Sequence, residues 1–157
     1  MMKRVLLLCL VLFSAGCSLP IISKDEIVSH AYSSHQLPDD WQVVQDEEGD
    51  LVVLLFYSKD YSNHAHAIYK RQGLGYHCIS SGYYLENSEI VLGDYDKDYH
   101  IYASLNKKRI NRYELYNNCD VSKGAIDANK PFVIILPSDA GEITFYTNDQ
   151  PIYAVEG

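Results

Sequence analysis

Beyond Trp41, short runs of hydrophobic residues alternate with polar, glycine-bearing segments along the rest of the chain. Runs of four to eight β-branched and aromatic residues bounded by Gly, Asn, Asp and Pro are typical of strands. The pattern predicts eight or nine strands, at 42–45, 51–57, 64–71, 74–85, 101–105, 109–116, 132–136, 142–147 and 152–155. Three hairpins are expected, closed by residues 46–50, by Gln72-Gly73 and by residues 106–108. Residues 119–130 are expected to form a loop, with one helical turn near 125–128.

One short helix precedes the strands. Ser23-Lys24-Asp25-Glu26 fits the S-x-x-E capping box, and Ile22 and Ile27 have the spacing of a hydrophobic staple. A helix is therefore predicted over residues 24–33, ending before Leu37-Pro38 because proline disfavours helical backbone in the preceding residue. The predicted fold class is mainly β (α+β): a twisted antiparallel sheet or sandwich of about eight strands with one short N-terminal helix. Residues 23–157 are expected to form this single β-rich domain.

The first eighteen residues have a different pattern. Met1-Met2-Lys3-Arg4 is basic, residues 5–13 are apolar without interruption, and Ser14-Ala15-Gly16 are small. This order is typical of a secretory signal peptide. The apolar run is too short to cross a bilayer as a helix, which takes about 20 residues.

The segment Ser14-Ala15-Gly16-Cys17 resembles the lipobox of bacterial lipoproteins. The family usually has Leu three residues before the cysteine, where this chain has Ser14. The resemblance implies that the Cys17 thiol receives a diacylglyceryl group and that residues 1–16 are removed. Residues 17–22 would then be the lipidated N-terminus and spacer. Two acyl chains anchor a protein stably, so we expect an extracytoplasmic protein of the cell envelope, lipid-anchored to the membrane.

A second resemblance concerns the body of the chain. Ile101-Tyr-Ala-Ser-Leu-Asn106 followed by Arg109-Ile-Asn-Arg-Tyr-Glu-Leu115, then a late strand and a turn with glycine, is similar to small lipoproteins of Gram-positive bacteria. The resemblance implies a signal, a helix and a strand-rich body, and it implies no catalytic residue.

The net charge and the aromatic content limit the classes of partner that this protein is expected to bind. The net charge of -8 becomes about -10 once Lys3 and Arg4 leave with the signal, which argues against nucleic acid. The chain holds 14 Tyr. Tyrosine gives a large contact area at low entropic cost, so Tyr83, Tyr84, Tyr99 and Tyr102 are candidates for a surface that binds a protein, peptide or glycan. Alternatively, they alternate between the core and a polar strand face.

Two cysteines remain in the domain if Cys9 is removed and Cys17 is lipidated. Cys78 and Cys119 would lie in an extracytoplasmic and often oxidising compartment, where a disulfide between them can form. It would close a loop of about 42 residues and stabilise the fold by about 4 kcal/mol. The alternative is two buried free thiols.

Three histidines suggest a metal site. His64 and His66 share a strand face because side chains alternate, and a turn at Gln72-Gly73 would bring His77 to the same face. Three imidazoles can hold Zn²⁺ or Cu²⁺ with one position open. The alternative is that they are exposed or hydrogen-bonded histidines.

Catalysis has little support in the sequence. The chain has no G-x-S-x-G nucleophile elbow, and neither Cys78 nor Cys119 has a histidine partner evident in the sequence. We expect a non-catalytic binding or envelope-associated protein without a cofactor. The first alternative is a metal-binding lipoprotein, and the second is a hydrolase whose site is formed only in the folded chain.

Overall fold

The computed structural model of this protein describes residues 21–85, 98–118 and 120–152. The predicted signal peptide, Cys17, Cys119 and the side chain of Tyr84 lie outside the described part. Among the described residues, no helix combines the length and hydropathy needed to cross a membrane.

The described chain is mainly β with one short helix, as predicted, and it has ten strands where eight or nine were expected. A 3-10 turn at Lys24–Glu26 leads into α1. The elements are α1 (Ile27–Ser34), β1 (Gln42–Glu48), β2 (Leu51–Tyr57), β3 (Asn63–Gln72), β4 (Gly75–Leu85), β5 (Tyr99–Ser104), β6 (Arg112–Asn117), β7 (Asp120–Ala125), β8 (Phe132–Pro137), β9 (Glu142–Thr147) and β10 (Gln150–Ile152). Every strand pairing is antiparallel.

The start of the helix follows the sequence signal. The Glu26 carboxylate accepts hydrogen bonds from the Ser23 backbone N–H at 3.1 Å and from the Ser23 hydroxyl at 2.7 Å. Ile22 and Ile27 are buried in the same cluster. The helix is thus held at its N-terminus by the capping box and against the sheet by the apolar pair.

The strands form three sheets. The first has the order β1-β2-β3-β4, the second pairs β5 with β8, and the third has the order β10-β9-β6-β7. The first two sheets meet where the Asp46 carboxylate on β1 accepts the Ile135 N–H of β8 at 3.0 Å.

The helix and the three sheets are stacked in layers, and an apolar cluster lies between each pair of neighbouring layers. Helix α1 covers one face of the first sheet, where Val52, Leu54 and Phe56 are buried. Leu51, Val53 and Leu55 of the same strand face the second sheet. Strand β2 is therefore apolar at every position, since both of its faces are covered. A third cluster, around Phe145, packs the second sheet against the third.

The predicted hairpin of 101–105 with 109–116 is wrong. Strand β5 pairs with β8, whereas β6 pairs with β7 and β9 in another sheet. The cause lies at Asn106, which has a φ of 56°. Its side chain accepts the Ile110 N–H at 2.6 Å and donates to the carbonyls of Ile110 and Asp127 at 3.1 and 3.0 Å. The hydrogen bonds of this buried amide fix a backbone conformation in which the chain leaves β5 and enters the third sheet, instead of turning back to pair with β5.

The predicted loop at 119–130 is also wrong in part, because β7 occupies Asp120–Ala125 and pairs with β6 along its whole length. Nearly every β7 residue is exposed. An edge strand exposed on both faces has no two-residue hydrophobic alternation, which is the signal from which strands are predicted.

The β3–β4 hairpin forms with a different register. Gln72 pairs with Gly75, so Gly73 and Leu74 make the turn, rather than Gln72 and Gly73. Gly73 has a φ of 62°, and two-residue hairpin turns favour glycine at this first central position. A bulge between Ile68 and Tyr69 then shifts the pairing again.

A candidate binding surface on the third sheet

The structure does not bring the three predicted metal ligands together. His64 and His66 are buried on β3, but His77 pairs with Lys70. Lys70 lies four residues from His66, or about 13 Å along the strand. Within the described ranges, no group of three or more His, Cys, Asp or Glu side chains is arranged to hold a metal ion.

His66 is the most perturbed of these histidines. Burial, with His64 and His35 nearby, lowers its pKa from 6.5 to about 4. Its Nε2 lies 3.4 Å from the Ser80 hydroxyl, which is the pairing that the hydrolase alternative would need. An imidazole with so low a pKa is a weak general base at neutral pH, so the contact gives little support to catalysis.

The His66 pKa predicts a loss of stability in mild acid. Between pH 6.5 and 4 the unfolded chain binds a proton that the folded chain excludes, so the free energy of unfolding falls as the pH falls through this window. The decrease should reach about 3 kcal/mol at pH 4. Urea denaturation at several pH values measures it.

A matched pair of variants assigns this effect. His66→Leu removes the titrating group, and its stability should change much less between pH 6.5 and 4. His77→Leu, on the same hairpin, leaves His66 intact and should keep the slope. A slope that survives His66→Leu would contradict the assignment. His64, whose pKa burial also lowers, contributes in the same direction.

The predicted tyrosine surface is divided between different parts of the fold. Tyr83 is 55% exposed, and its hydroxyl donates to the His35 carbonyl. Tyr99 packs against the second cluster and donates to Asp50 at 3.1 Å. Tyr102 packs on Phe145 in the third cluster. These three side chains do not share a surface.

The predicted disulfide stays a prediction. Cys78 is exposed on β4, and its thiol donates to the Ser80 carbonyl at 3.4 Å. Cys119, its proposed partner, lies outside the described residues.

A polar arrangement that joins three strands surrounds Glu114 on β6. One carboxylate oxygen contacts Lys123 Nζ at 2.8 Å and Arg112 at 3.2 Å. The other accepts hydrogen bonds from the hydroxyls of Tyr116 at 2.5 Å and Tyr146 at 3.0 Å. Strand pairing explains the convergence, since Glu114 lies opposite Lys123 on β7, and Arg112 lies opposite Tyr146 on β9.

We call this surface the Glu114 face. It comprises Arg112, Glu114, Tyr116, Val121, Lys123 and Tyr146. Arg112 stacks on the Tyr146 ring, 4.0 Å from its centroid, an arrangement that stabilises both side chains. Tyr116 pairs with Val121, and the two are 40% and 50% exposed. The face thus combines an apolar pair with fixed charges.

Electrostatics keep this arrangement in one protonation state. The hydrogen bonds from Lys123, Tyr116 and Tyr146 lower the pKa of Glu114 to about 2. The hydrogen bond that the Tyr116 hydroxyl donates to Glu114, together with its contact with the Tyr146 hydroxyl, raises the pKa of Tyr116. The carboxylate therefore stays ionised and the phenol protonated at neutral pH. Neither group is poised to exchange a proton near neutral pH.

Strand β7 forms an edge beside this face. Among the described strands it pairs only with β6. Behind the edge, on the other face of the sheet, lies an open concavity of about 450 Å³. Its lining residues are Leu115, Asn117, Asn118, Asp120, Ser122 and Ala140. The edge therefore has an apolar pair on one side and, on the other, a hollow lined by polar side chains together with Leu115 and Ala140.

The sequence pattern alone does not predict the Glu114 face. The signal for half of it is present, because Arg112, Glu114 and Tyr116 alternate within one predicted strand and so share a face. Lys123 and Tyr146 come from strands that flank β6 only in the folded sheet. One of these strands was expected to be a loop.

Comparison with known proteins finds no relative: no protein-family model matches this chain, nor does any curated protein or any solved structure.

Proposed function

We propose that this protein is a lipid-anchored, extracytoplasmic binding protein without catalytic activity, and that an extended polypeptide segment binds along β7. Membrane attachment through Cys17 is supported by the lipobox-like Ser14-Ala15-Gly16-Cys17. The observation that carries the binding role is the exposed edge of β7 beside Tyr116 and Val121.

Strand addition suits the two sides of this edge. An added strand would form main-chain hydrogen bonds with β7 and point alternate side chains to opposite faces of the sheet. One set would lie against Val121 and Lys123, and the other over the hollow that Asp120 and Ser122 help to line. Affinity would come from the backbone and specificity from these two sides.

The pre-formed Glu114 face favours a binding role for a second reason. Tyr116 and Tyr146 are held by Glu114, so little side-chain freedom remains to be lost when a partner binds. Rigid aromatic groups give affinity by lowering this entropic cost.

The anchor is tested by the intact mass of the protein from its native membrane. We expect a chain that begins at Cys17 and carries acyl groups, and their loss in Cys17→Ala. An unmodified mass that begins at another residue would contradict the anchor.

The binding site is tested by photo-crosslinking in the cells that make the protein. A benzoylphenylalanine at Val121 should form a discrete polypeptide adduct, whereas the same group at exposed Lys59 on the first sheet's 58–62 loop should not. Tyr116→Ala should weaken the adduct and Tyr116→Phe should largely keep it, since the ring supplies the contact area. An adduct of equal yield at both positions, an adduct only with glycan, or none at Val121 would contradict the proposal.

A further inference from the structure

The tip of the β3–β4 hairpin projects beyond the neighbouring strands. The Arg71 N–H donates to the Asp50 carbonyl at 2.8 Å, where the β1–β2 turn ends. Residues 72–75 continue past this bond, and Leu74 at the turn is 92% exposed. A leucine so exposed gains nothing from the fold, whereas burial of its side chain elsewhere would be favourable.

A second exposed apolar side chain lies beside this tip. Ile21 is 65% exposed and packs over Gly75 so closely that a Cβ at Gly75 would collide with it. The next residue, Ile22, is buried, and its carbonyl accepts the Tyr76 N–H at 2.9 Å. The described chain is therefore fixed to the domain next to the hairpin tip from its first residues.

The distance to Cys17 is short. Only residues 18–20 separate Cys17 from Ile21, and four residues span at most about 14 Å when fully extended. Acyl chains on Cys17 would hold this end of the domain close to the bilayer, with no long linker to let it turn away.

The charges near the tip suit a neutral lipid surface. Lys70 lies 4.0 Å from Asp50, and Lys24 lies 2.6 Å from Glu47. Both of these cations are paired with acids, whereas Arg71 is a third, exposed cation beside the tip, and the chain as a whole carries a net charge of -8. Contact with a membrane would therefore depend on the apolar side chains and not on anionic headgroups.

We infer that Leu74 and Ile21 form a membrane-contacting apex, which enters the interface of a bilayer of zwitterionic lipid and orients the domain with the β3–β4 tip toward the membrane. The inference rests on the proposed acylation of Cys17. β7 and the Glu114 face belong to the third sheet, which the second sheet separates from the sheet that carries this tip.

Tryptophan quenching tests this orientation. The full acylated protein is reconstituted in phosphatidylcholine vesicles with brominated acyl chains, which quench tryptophans that reach the lipid. Leu74→Trp adds one indole at the apex, and Val121→Trp adds one on the third sheet. The parent protein, with Trp41 as its one tryptophan, supplies the baseline.

We expect the indole of Leu74→Trp to be quenched and its emission blue-shifted, with neither change in Val121→Trp. Quenching of both would indicate a domain lying flat, and quenching of Val121→Trp alone would indicate the opposite orientation. Either result, or no quenching in vesicle-bound protein, overturns the apex. If the full-length protein isolated from its cells carries no acyl chains and does not float with the vesicles, the proposed anchor is overturned, and the apex with it. Flotation therefore separates failure of the anchor from failure of the apex.

Discussion

Phe145→Ala should destabilise the protein by about 3–5 kcal/mol, the usual cost of truncating a fully buried phenylalanine. Phe145 is 1% exposed on β9. Its ring centroid lies 5.4 Å from that of Tyr102 and 5.7 Å from that of Phe132, both in the second sheet. The ring therefore joins two sheets whose described strands do not pair with each other, and its loss leaves a cavity between them.

Guanidinium denaturation measures this change, as a lower midpoint with an unchanged slope. Phe145→Leu keeps most of the apolar volume and should cost less than about 1.5 kcal/mol. Val121→Ala, on the exposed face of the third sheet, should fall within about 0.5 kcal/mol of the parent. If Phe145→Ala costs no more than Val121→Ala, the second and third sheets do not pack through this cluster.

Gly141→Ala should be nearly as damaging, at about 3–4 kcal/mol. Gly141 has a φ of 110°, a backbone conformation unfavourable for other residues. A Cβ there would also collide with the Tyr116 carbonyl, which belongs to the backbone of β6 and has no side-chain rotation by which to escape. The glycine is thus required where the β8–β9 turn enters β9, beside Tyr116 of the neighbouring strand β6.

Gly73→Ala separates the cost of the backbone conformation from the cost of the steric collision. Gly73 has a φ of 62°, but nothing lies within 4 Å of the position that its Cβ would take. This variant should lose only the conformational term, about 1 kcal/mol. The difference between the two glycines in thermal or chemical unfolding then reports the steric contact with Tyr116. Equal losses would mean that β6 shifts to accommodate the methyl group.

Local signals predicted the parts of the fold that depend on neighbouring residues. The capping box at Ser23 and Glu26 forms, and the helix begins where it was expected. The hydrophobic runs at β2, β3, β8 and β9 are strands because their burial shows in the residue pattern itself. The mainly β class follows from these elements and is confirmed.

Partners that are distant in sequence could not be predicted in this way. Asn106 sends the chain from one sheet to another through bonds that include Asp127, 21 residues away. The turn of the β3–β4 hairpin lies at Gly73 and Leu74, one residue later than predicted, and this register places His77 opposite Lys70, away from His66. The predicted metal site failed for this reason, although each residue was assigned to a strand correctly.

The amino-acid sequence was sufficient for the helix, most strands, the β-rich class and the expectation of a lipid anchor, because each depends on periodicity or on a short contiguous motif. The sheet order, the Glu114 face and the position of Leu74 beside Ile21 required the folded chain. Each of these brings together residues from separate strands or from opposite sides of a turn. Such contacts are set by side-chain packing and strand register, which leave no periodic trace in the sequence.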